Sequence, residues 1–556
     1  MRSELGPGTV LFLVVLLAFF GAFLMYPLGY VFSNAFFPGG RFSLSFFKLI
    51  AGRAEVLLNS LRLGLVTTAA TTLIGLPLAF LMARYSFRGK GLLGGLLLVP
   101  MVLPPFVGAI GMRQLFARFG AVNLALLKLG LISEPVDWFG KGGFLGVVVL
   151  EVLHLYPIMY LNMAAALANV DPSLEEAGRN LGAGPMRLFW TVTFPLMAPG
   201  YFAGAIVVFL WAFTDLGTPL VFHYYPLVPV QIFRMVSEVH ENPMGYAWVV
   251  VVLAVTVLAF YISKRFLRGE YGMMGRGHVG EGGQLTGWKL AAAYSGVLLI
   301  VCLALLPHLS VALTSVAERW FFTIFPERVS FKFYVEAFSH ELTLSSIKNS
   351  LFLSFLSACL DLAIGVAIAY LLVRRSFPGR DLLDVLAMLP LALPGIVLAF
   401  GYVAGFSGTF LDPRHDPFPL LIISYAVRRL PYMVRSAYAG FQQVGTSLEE
   451  ASLNLGAGPL RTVRRVTLPL VAANLLAGGV LCFSFAMLEV SDSLILAMKE
   501  QFYPITKAIY SLLQRIEDGP YIASAMGVLG MLLLAGSLLG AGKVMGRRMG
   551  ELFRVR

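Results

Sequence analysis

Long apolar runs alternate with short polar stretches from one end of the chain to the other. The runs lie at roughly 10–32, 57–83, 92–117, 143–168, 194–222, 244–266, 290–316, 345–373, 382–406, 418–440, 468–498 and 519–545. An apolar helix of about 20 residues crosses a hydrocarbon layer about 30 Å thick. Backbone N–H and C=O groups in lipid must pair within their own segment, so runs of this length predict helices and not strands. The pattern therefore predicts an all-α polytopic membrane protein with about 12 transmembrane helices. The first run follows Arg2, yet it is too long for a signal-peptide core and no small-residue cleavage site leads into a soluble domain, so it reads as the first span. Between Lys264 and Lys289 the apolar pattern stops, and a Gly-rich, charged stretch reads as a flexible linker.

The two sides of that linker are copies. Asn59-Ser60-Leu61 returns as Asn349-Ser350-Leu351, and Pro100 and Pro104 return as Pro390 and Pro394 at the same offset. The turn from Arg84 to Gly89 returns as Arg374 to Gly379. A later block, LEEAGRNLGAGPMR at 174–187, returns as LEEASLNLGAGPLR at 448–461 with a different offset. The change places extra residues in the first copy between about Ile110 and His154, in the loop around Glu134–Trp138. The predicted organisation is a first module at 1–266, a linker at 267–289 and a second module at 290–556. Six spans per module is an even number, so both copies enter the bilayer from one side, giving two parallel six-helix repeats with both termini and the linker in one compartment. Acidic residues gather on the opposite side, which leaves the net positive charge with the termini and points to the cytoplasm for them.

Composition agrees with the pattern. The 556 residues are 58% hydrophobic and only 13% charged, with mean hydropathy +0.80. A soluble domain carries about 25% charged residues, so neither a soluble fold nor a disordered chain fits. The net charge of +12 reads as a basic surface on a bilayer, not as a nucleic-acid site. Cys302, Cys359 and Cys482 sit in apolar runs without metal-ligand spacing and read as inert thiols. Gly540-Ala541-Gly542-Lys543 lacks the earlier glycine of a phosphate-binding loop, and no catalytic constellation or metal-ligand set is present.

Two polar segments stand out between the spans. Asp171–Pro185 and Gly445–Pro459 each read as a short helix, a Gly-Ala-Gly-Pro turn and the start of a second helix. Ser173 and Ser447 are the expected N-caps, with Glu176 and Glu450 at the capping-box position. Gly182 and Gly456 sit where the helix ends, and Pro185 and Pro459 prevent its continuation. These loops are more alike than the spans beside them, so a shared partner surface is the economical explanation.

Glu176-Ala177-Gly178, then Gly182, then Val192-Thr193-Phe194-Pro195 resembles the EAA loop of ATP-binding-cassette importer permeases, whose pattern is E-A-A-x3-G-x9-I-x-L-P. Glu450-Ala451-Ser452, Gly456 and Val466-Thr467-Leu468-Pro469 match at the same spacing. Gly178 and Ser452 depart from the pattern at the third position, and Phe194 replaces Leu. The resemblance covers essentially the whole chain as two fused permease modules, with EAA-type loops at 171–195 and 445–469. It implies a coupling helix in each loop, seated in a cleft of a separate ATPase, with Glu176 and Glu450 facing it. The coupling residues it implies are Glu175, Glu176, Ala177, Gly178, Gly182 and Gly184, and Glu449, Glu450, Ala451, Ser452, Gly456 and Gly458. It further implies two copies of the ATPase subunit carrying ATP and Mg, an extracytoplasmic solute-binding protein, no cofactor on this chain, and residence in the bacterial inner membrane. The fused layout looks most like ferric-iron permeases. Thr214–Pro219 is similar to a segment of that group, whereas the region of Glu489–Asp492 departs from it. Thiamine, 2-aminoethylphosphonate or another small solute or oxyanion remains the alternative.

Candidate pathway residues follow from chemistry in the spans. An ionisable side chain left in lipid costs about 2.5 kcal/mol or more, which singles out Asp215 and Glu489, at equivalent positions of the repeat. Glu151 and Asp361 have no matching acid in the other copy and read as structural. Pro100 and Pro104, and Pro390 and Pro394, should kink or break spans three and nine, and broken helices in transporters often line the pathway. A gradient-driven 6+6 secondary transporter is the rival class; it predicts ionisable residues in the pore and no ATPase partner.

Overall fold

The computed structural model describes residues 7–239, 243–267, 283–515 and 518–545. Most of the expected linker, 268–282, lies outside the described residues. The regular structure among these residues is helical apart from two short strand pairs. Tyr85–Ser86 runs parallel to Gly283–Gln284, and Ala317–Arg319 antiparallel to Arg328–Val329.

Among the described residues, nine helices are long and apolar enough to span a bilayer, and two bent pairs bring the number to 11. The expected run at 418–440 is the one outside that count. That run does form a helix, Phe418–Gln443, but Arg428, Arg429 and Arg435 lie in it, so it does not qualify by composition.

The bent pairs are the proline-bearing spans. Lys90–Val102 meets Pro105–Lys128 at 90°, and Arg380–Ala392 meets Gly395–Phe406 at 101°. In a helix the Pro100 carbonyl would accept from the N–H of residue 104, but residue 104 is proline and has none. The chain turns extended at Leu103 (φ −83°, ψ 134°) and Pro104 (φ −65°, ψ 125°), and at Leu393 and Pro394 in the second copy. The orphaned carbonyl is served from elsewhere: His154 Nδ1 lies 3.0 Å from Pro100 O. Nearby, His308 Nε2 is 3.3 Å from Pro104 O, and the Tyr156 hydroxyl donates to Leu97 O at 3.0 Å. Such partners let a broken helix persist at membrane depth.

Two compact units form, and their boundary does not follow the sequence repeat. One comprises Met1–Ala51, Ile232–Val250 and Tyr334–Arg556, the other Gly52–Gln231 and Val251–Phe333. In the first unit, the chain's opening helix packs on the second arm of broken span nine. Tyr26 donates to Gly405 O and Tyr402 to Phe23 O, both at 2.8 Å. In the second unit, Gly287–Ser315 packs on the corresponding arm of span three. There Gly111 lies so near Pro307 that a Cβ would fall 1.9 Å from its carbonyl oxygen. The extra residues of the first copy are folded around Asn123. Its amide donates to the carbonyls of Ala117, Arg118 and Val136 and accepts from Val136 N–H and Trp138 Nε1.

Candidate functional site: two repeated polar hairpins

The first hairpin opens with the nine-residue helix Pro172–Asn180. Its N-cap is Asp171, not the expected Ser173: Asp171 Oδ1 accepts from Ser173 N–H at 2.9 Å. Pro172 fixes the first helical φ and pushes the residue before it into the extended region, so the cap moves two positions upstream. The same hydrogen bond holds the Asp171 carboxyl below the usual carboxylate range. The second hairpin starts its helix, Thr446–Asn454, from Gly445 with no side-chain cap, again in place of the expected Ser447. Neither Glu176 nor Glu450 therefore stands at the capping-box position.

Both helices end as the sequence indicates. Gly182 (φ +82°) and Gly456 (φ +84°) take the left-handed conformation that closes a helix. Ala183 N–H donates to Gly178 O at 3.0 Å, and Ala457 N–H to Ser452 O at 3.1 Å. Gly184 and Gly458 precede the next short helices with ordinary extended backbone, so no conformational demand fixes glycine there.

The paired glutamates separate by role. Glu175 is 5% exposed and turns toward its own chain. Its Oε1 accepts from Arg84 Nη2 and from Thr193 Oγ1, both at 2.7 Å, with Arg179 at 3.9 Å from Oε2. Glu449 repeats this: Arg374 Nε donates at 3.1 Å and Thr467 Oγ1 at 3.1 Å. Arg84 and Arg374 end the span-two and span-eight helices, Ala54–Arg84 and Glu341–Arg374. Thr193 and Thr467 close the π-helical turns Phe189–Thr193 and Val463–Thr467 that lead into spans five and eleven. Glu176 and Glu450 stay exposed, as do Ala177 and Ala451.

Around the glutamates, matched apolar side chains are left uncovered. Leu181 and Leu455 are each 89% exposed, and Met186 and Leu460 are exposed at the other repeated position. The third motif position is resolved by packing. A Cβ on Gly178 would fall 2.6 Å from Leu188 Cδ1, whereas in the second copy the Ser452 hydroxyl pairs with Thr462 Oγ1 at 3.0 Å. Leu188 and Thr462 are equivalent positions, so a large neighbour goes with glycine and a small one with serine.

Within the spans, Asp215 Oδ2 accepts from Thr218 N–H at 2.9 Å in the first turn of the short helix Gly217–Val221, and Thr218 Oγ1 donates to Glu151 at 3.1 Å. Glu489 is 6% exposed and ion-paired with both Arg428 and Arg429. Arg428 also lies 3.4 Å from Asp492, which accepts from Ser424 Oγ at 2.9 Å. Its guanidinium sits against Gly395, where a Cβ would fall 2.3 Å from Nη1. The sequence reading missed Arg84, Arg374, Arg428 and Arg429 as partners. An Arg at the same place in both copies, Arg84 and Arg374, was a usable signal for the first two.

Residues 75–269 and again 362–550 match the family described as binding-protein-dependent transport system inner membrane component. The chain belongs to that family. This permease is 28% identical over 527 residues to the ferric transport system permease protein FbpB of Actinobacillus pleuropneumoniae, covering 92% of this chain and 74% of the relative. It is 24% identical over 483 residues to the Fe(3+)-transport system permease protein FbpB 2 of Haemophilus influenzae, 87% and 88% covered. Over 172 residues it is 33% identical to the molybdenum transport system permease protein ModB of Escherichia coli, 30% of this chain and 71% of the relative. The chain is thus a multi-pass inner-membrane transport subunit of an ATP-binding-cassette importer, which works with an ATPase and a solute-binding protein.

Proposed function

We propose that this chain is the translocation subunit of a ferric-iron importer. An extracytoplasmic binding protein delivers the cation, and two copies of one ATPase subunit, carrying ATP and Mg, drive the passage. The observation that carries the reading is the run of similarity to ferric permeases across both modules, at 28% identity over 92% of the chain. Each ATPase would seat on one hairpin, with Glu176 or Glu450 and the uncovered Leu181 or Leu455 turned to it. Two near-identical seats in one chain suit two identical motors. The hairpins and both termini would then lie in the cytoplasm, and the chain itself would need no cofactor. The broken spans at Pro100–Pro104 and Pro390–Pro394 would line the path, as broken helices in transporters often do.

Proteoliposomes holding the chain, its ATPase and its binding protein should take up ferric iron only when ATP is present. Uptake driven by a proton or sodium gradient without ATPase would refute the class. ATP-driven uptake of an oxyanion in place of iron would refute the solute. Replacing Glu176 and Glu450 together with Ala should abolish uptake while leaving the permease folded, and normal uptake by that variant would sink the seating of the ATPases.

A further inference from the structure

Each hairpin lies between two spans in the chain, so the backbone already ties it to spans four and five, or ten and eleven. Spans two and eight have no such tie. They pack along spans four and five, or ten and eleven, and meet the hairpin itself through the ion pairs Arg84–Glu175 and Arg374–Glu449, which join residues 91 and 75 positions apart. A helix of nine residues is marginal by itself and holds its orientation only through tertiary contacts. Here those contacts are few, because the apolar side chains Leu174, Leu181, Leu448 and Leu455 are exposed. The charge-assisted bonds to Glu175 and Glu449, at 2.7 and 3.1 Å, are directional, and both are shielded from water.

We propose that Arg84 and Arg374 are positioning residues that pass the displacement of each hairpin to spans two and eight. The inference rests on the reading of the hairpins as ATPase seats and adds a division of labour between adjacent glutamates. Glu176 and Glu450 face the motor, and Glu175 and Glu449 grip the permease. The two grips differ. Arg374 Nη2 also donates to Val444 O at 2.8 Å, at the end of span ten, while Arg84 Nε is buried without a partner. The second grip therefore binds one more element, and losing Arg374 should cost more than losing Arg84.

The test uses the assembled importer in proteoliposomes and reads iron imported per ATP hydrolysed, beside ATPase co-purification and thermal midpoint. Arg84→Gln with Arg374→Gln should lower the ratio at least tenfold while the ATPase stays bound and active, with Arg374→Gln alone the worse single variant. Exchanging charges in both hairpins, Arg84→Glu with Glu175→Arg and Arg374→Glu with Glu449→Arg, should recover a third or more of the ratio. An unchanged ratio, or one that falls only in step with thermal midpoint and ATPase binding, overturns the proposal. Should the Arg→Gln chains fail to fold, Thr193→Val with Thr467→Val removes only the second bond to each glutamate. That pair should lower the ratio two- to threefold, and a wild-type ratio there overturns the proposal equally. If the unaltered chain binds no ATPase at all, the reading of function falls, and the grip with it.

Discussion

Asp215 and Glu489 occupy the same place in the repeat, yet the structure gives their removal very different costs. Glu489 is nearly inaccessible and balances two guanidinium groups, those of Arg428 and Arg429. In Glu489→Gln the amide oxygen can still accept from one arginine, but the NH2 is turned on the other, which is left buried without its counter-ion. Breaking a buried ion pair by removing one partner costs about 3–5 kcal/mol. Asp492 cannot make up the loss, since Ser424 and Arg428 already engage it. Asp215, by contrast, accepts from the Thr218 N–H and lies beside the Glu151 carboxyl, with no arginine to balance. Asp215→Asn keeps an acceptor and should be close to neutral, and Asp215→Ala, which leaves the Thr218 N–H without its acceptor, should cost about 1–3 kcal/mol. Against a total stability of about 5–15 kcal/mol, the first change threatens folding and the second does not. The assay is the thermal midpoint and monodisperse yield of each variant in detergent, followed by iron uptake in proteoliposomes. Glu489→Gln should lose midpoint and yield together, while Asp215→Asn keeps both, so any loss of uptake in the latter would belong to the pathway. A Glu489→Gln chain of wild-type midpoint that imports nothing would refute the reasoning, because Glu489 would then act on the solute and not on the arginines.

Two other outcomes follow from close packing. Gly111→Ala places a methyl 1.9 Å from the Pro307 carbonyl oxygen, whereas Gly401→Ala meets Pro27 only at 3.1 Å. Overpacking costs about 1–3 kcal/mol or more, so the first should lower the thermal midpoint clearly and the second slightly; equal effects would contradict the placement. At the third motif position, Gly178→Ser should destabilise the first hairpin by pressing on Leu188, and adding Leu188→Thr should restore it by recreating the Ser452–Thr462 hydrogen bond. Protease sensitivity of the hairpin reads both, and a double variant no better than the single one would count against it.

Spans, repeat and breaks were legible because each rests on local chemistry. Pro100 followed by Pro104 removes a hydrogen bond wherever the chain goes, and the 90° bend sits where that bond is missing. Glycine at 182 and 456 likewise announces a left-handed residue, and both adopt one. The direction of Glu175 against Glu176 was not legible. In a helix of two turns, neighbouring glutamates differ only by about 100° of rotation, and what selects between them is an arginine 91 residues away. The N-cap was misplaced for a local reason that the sequence did contain: Pro172 marks the first helical position, so Asp171 and not Ser173 precedes the helix. The pairing of the opening helix with broken span nine was also hidden, because a repeat records which segments are copies and not which copy each one packs on.

Divergence inside the chain sharpens the assignment of roles. Between the copies, the hairpins keep Leu-Glu-Glu-Ala and Leu-Gly-Ala-Gly-Pro together with the arginine and threonine that grip the first glutamate. Deeper in the spans, equivalent positions have parted in chemistry as well as size: Glu151 against Tyr425, His154 against Arg428, Thr218 against Asp492. One copy there carries two acids that share Thr218, and the other a four-member ionic cluster. On the proposed reading, two identical motors require two identical seats, which accounts for hairpins that are held alike. On the same reading, nothing in the passage of a solute requires the two interiors to match. The sameness of the hairpins and the difference of the interior are thus what a single-chain permease worked by a pair of like ATPases should show.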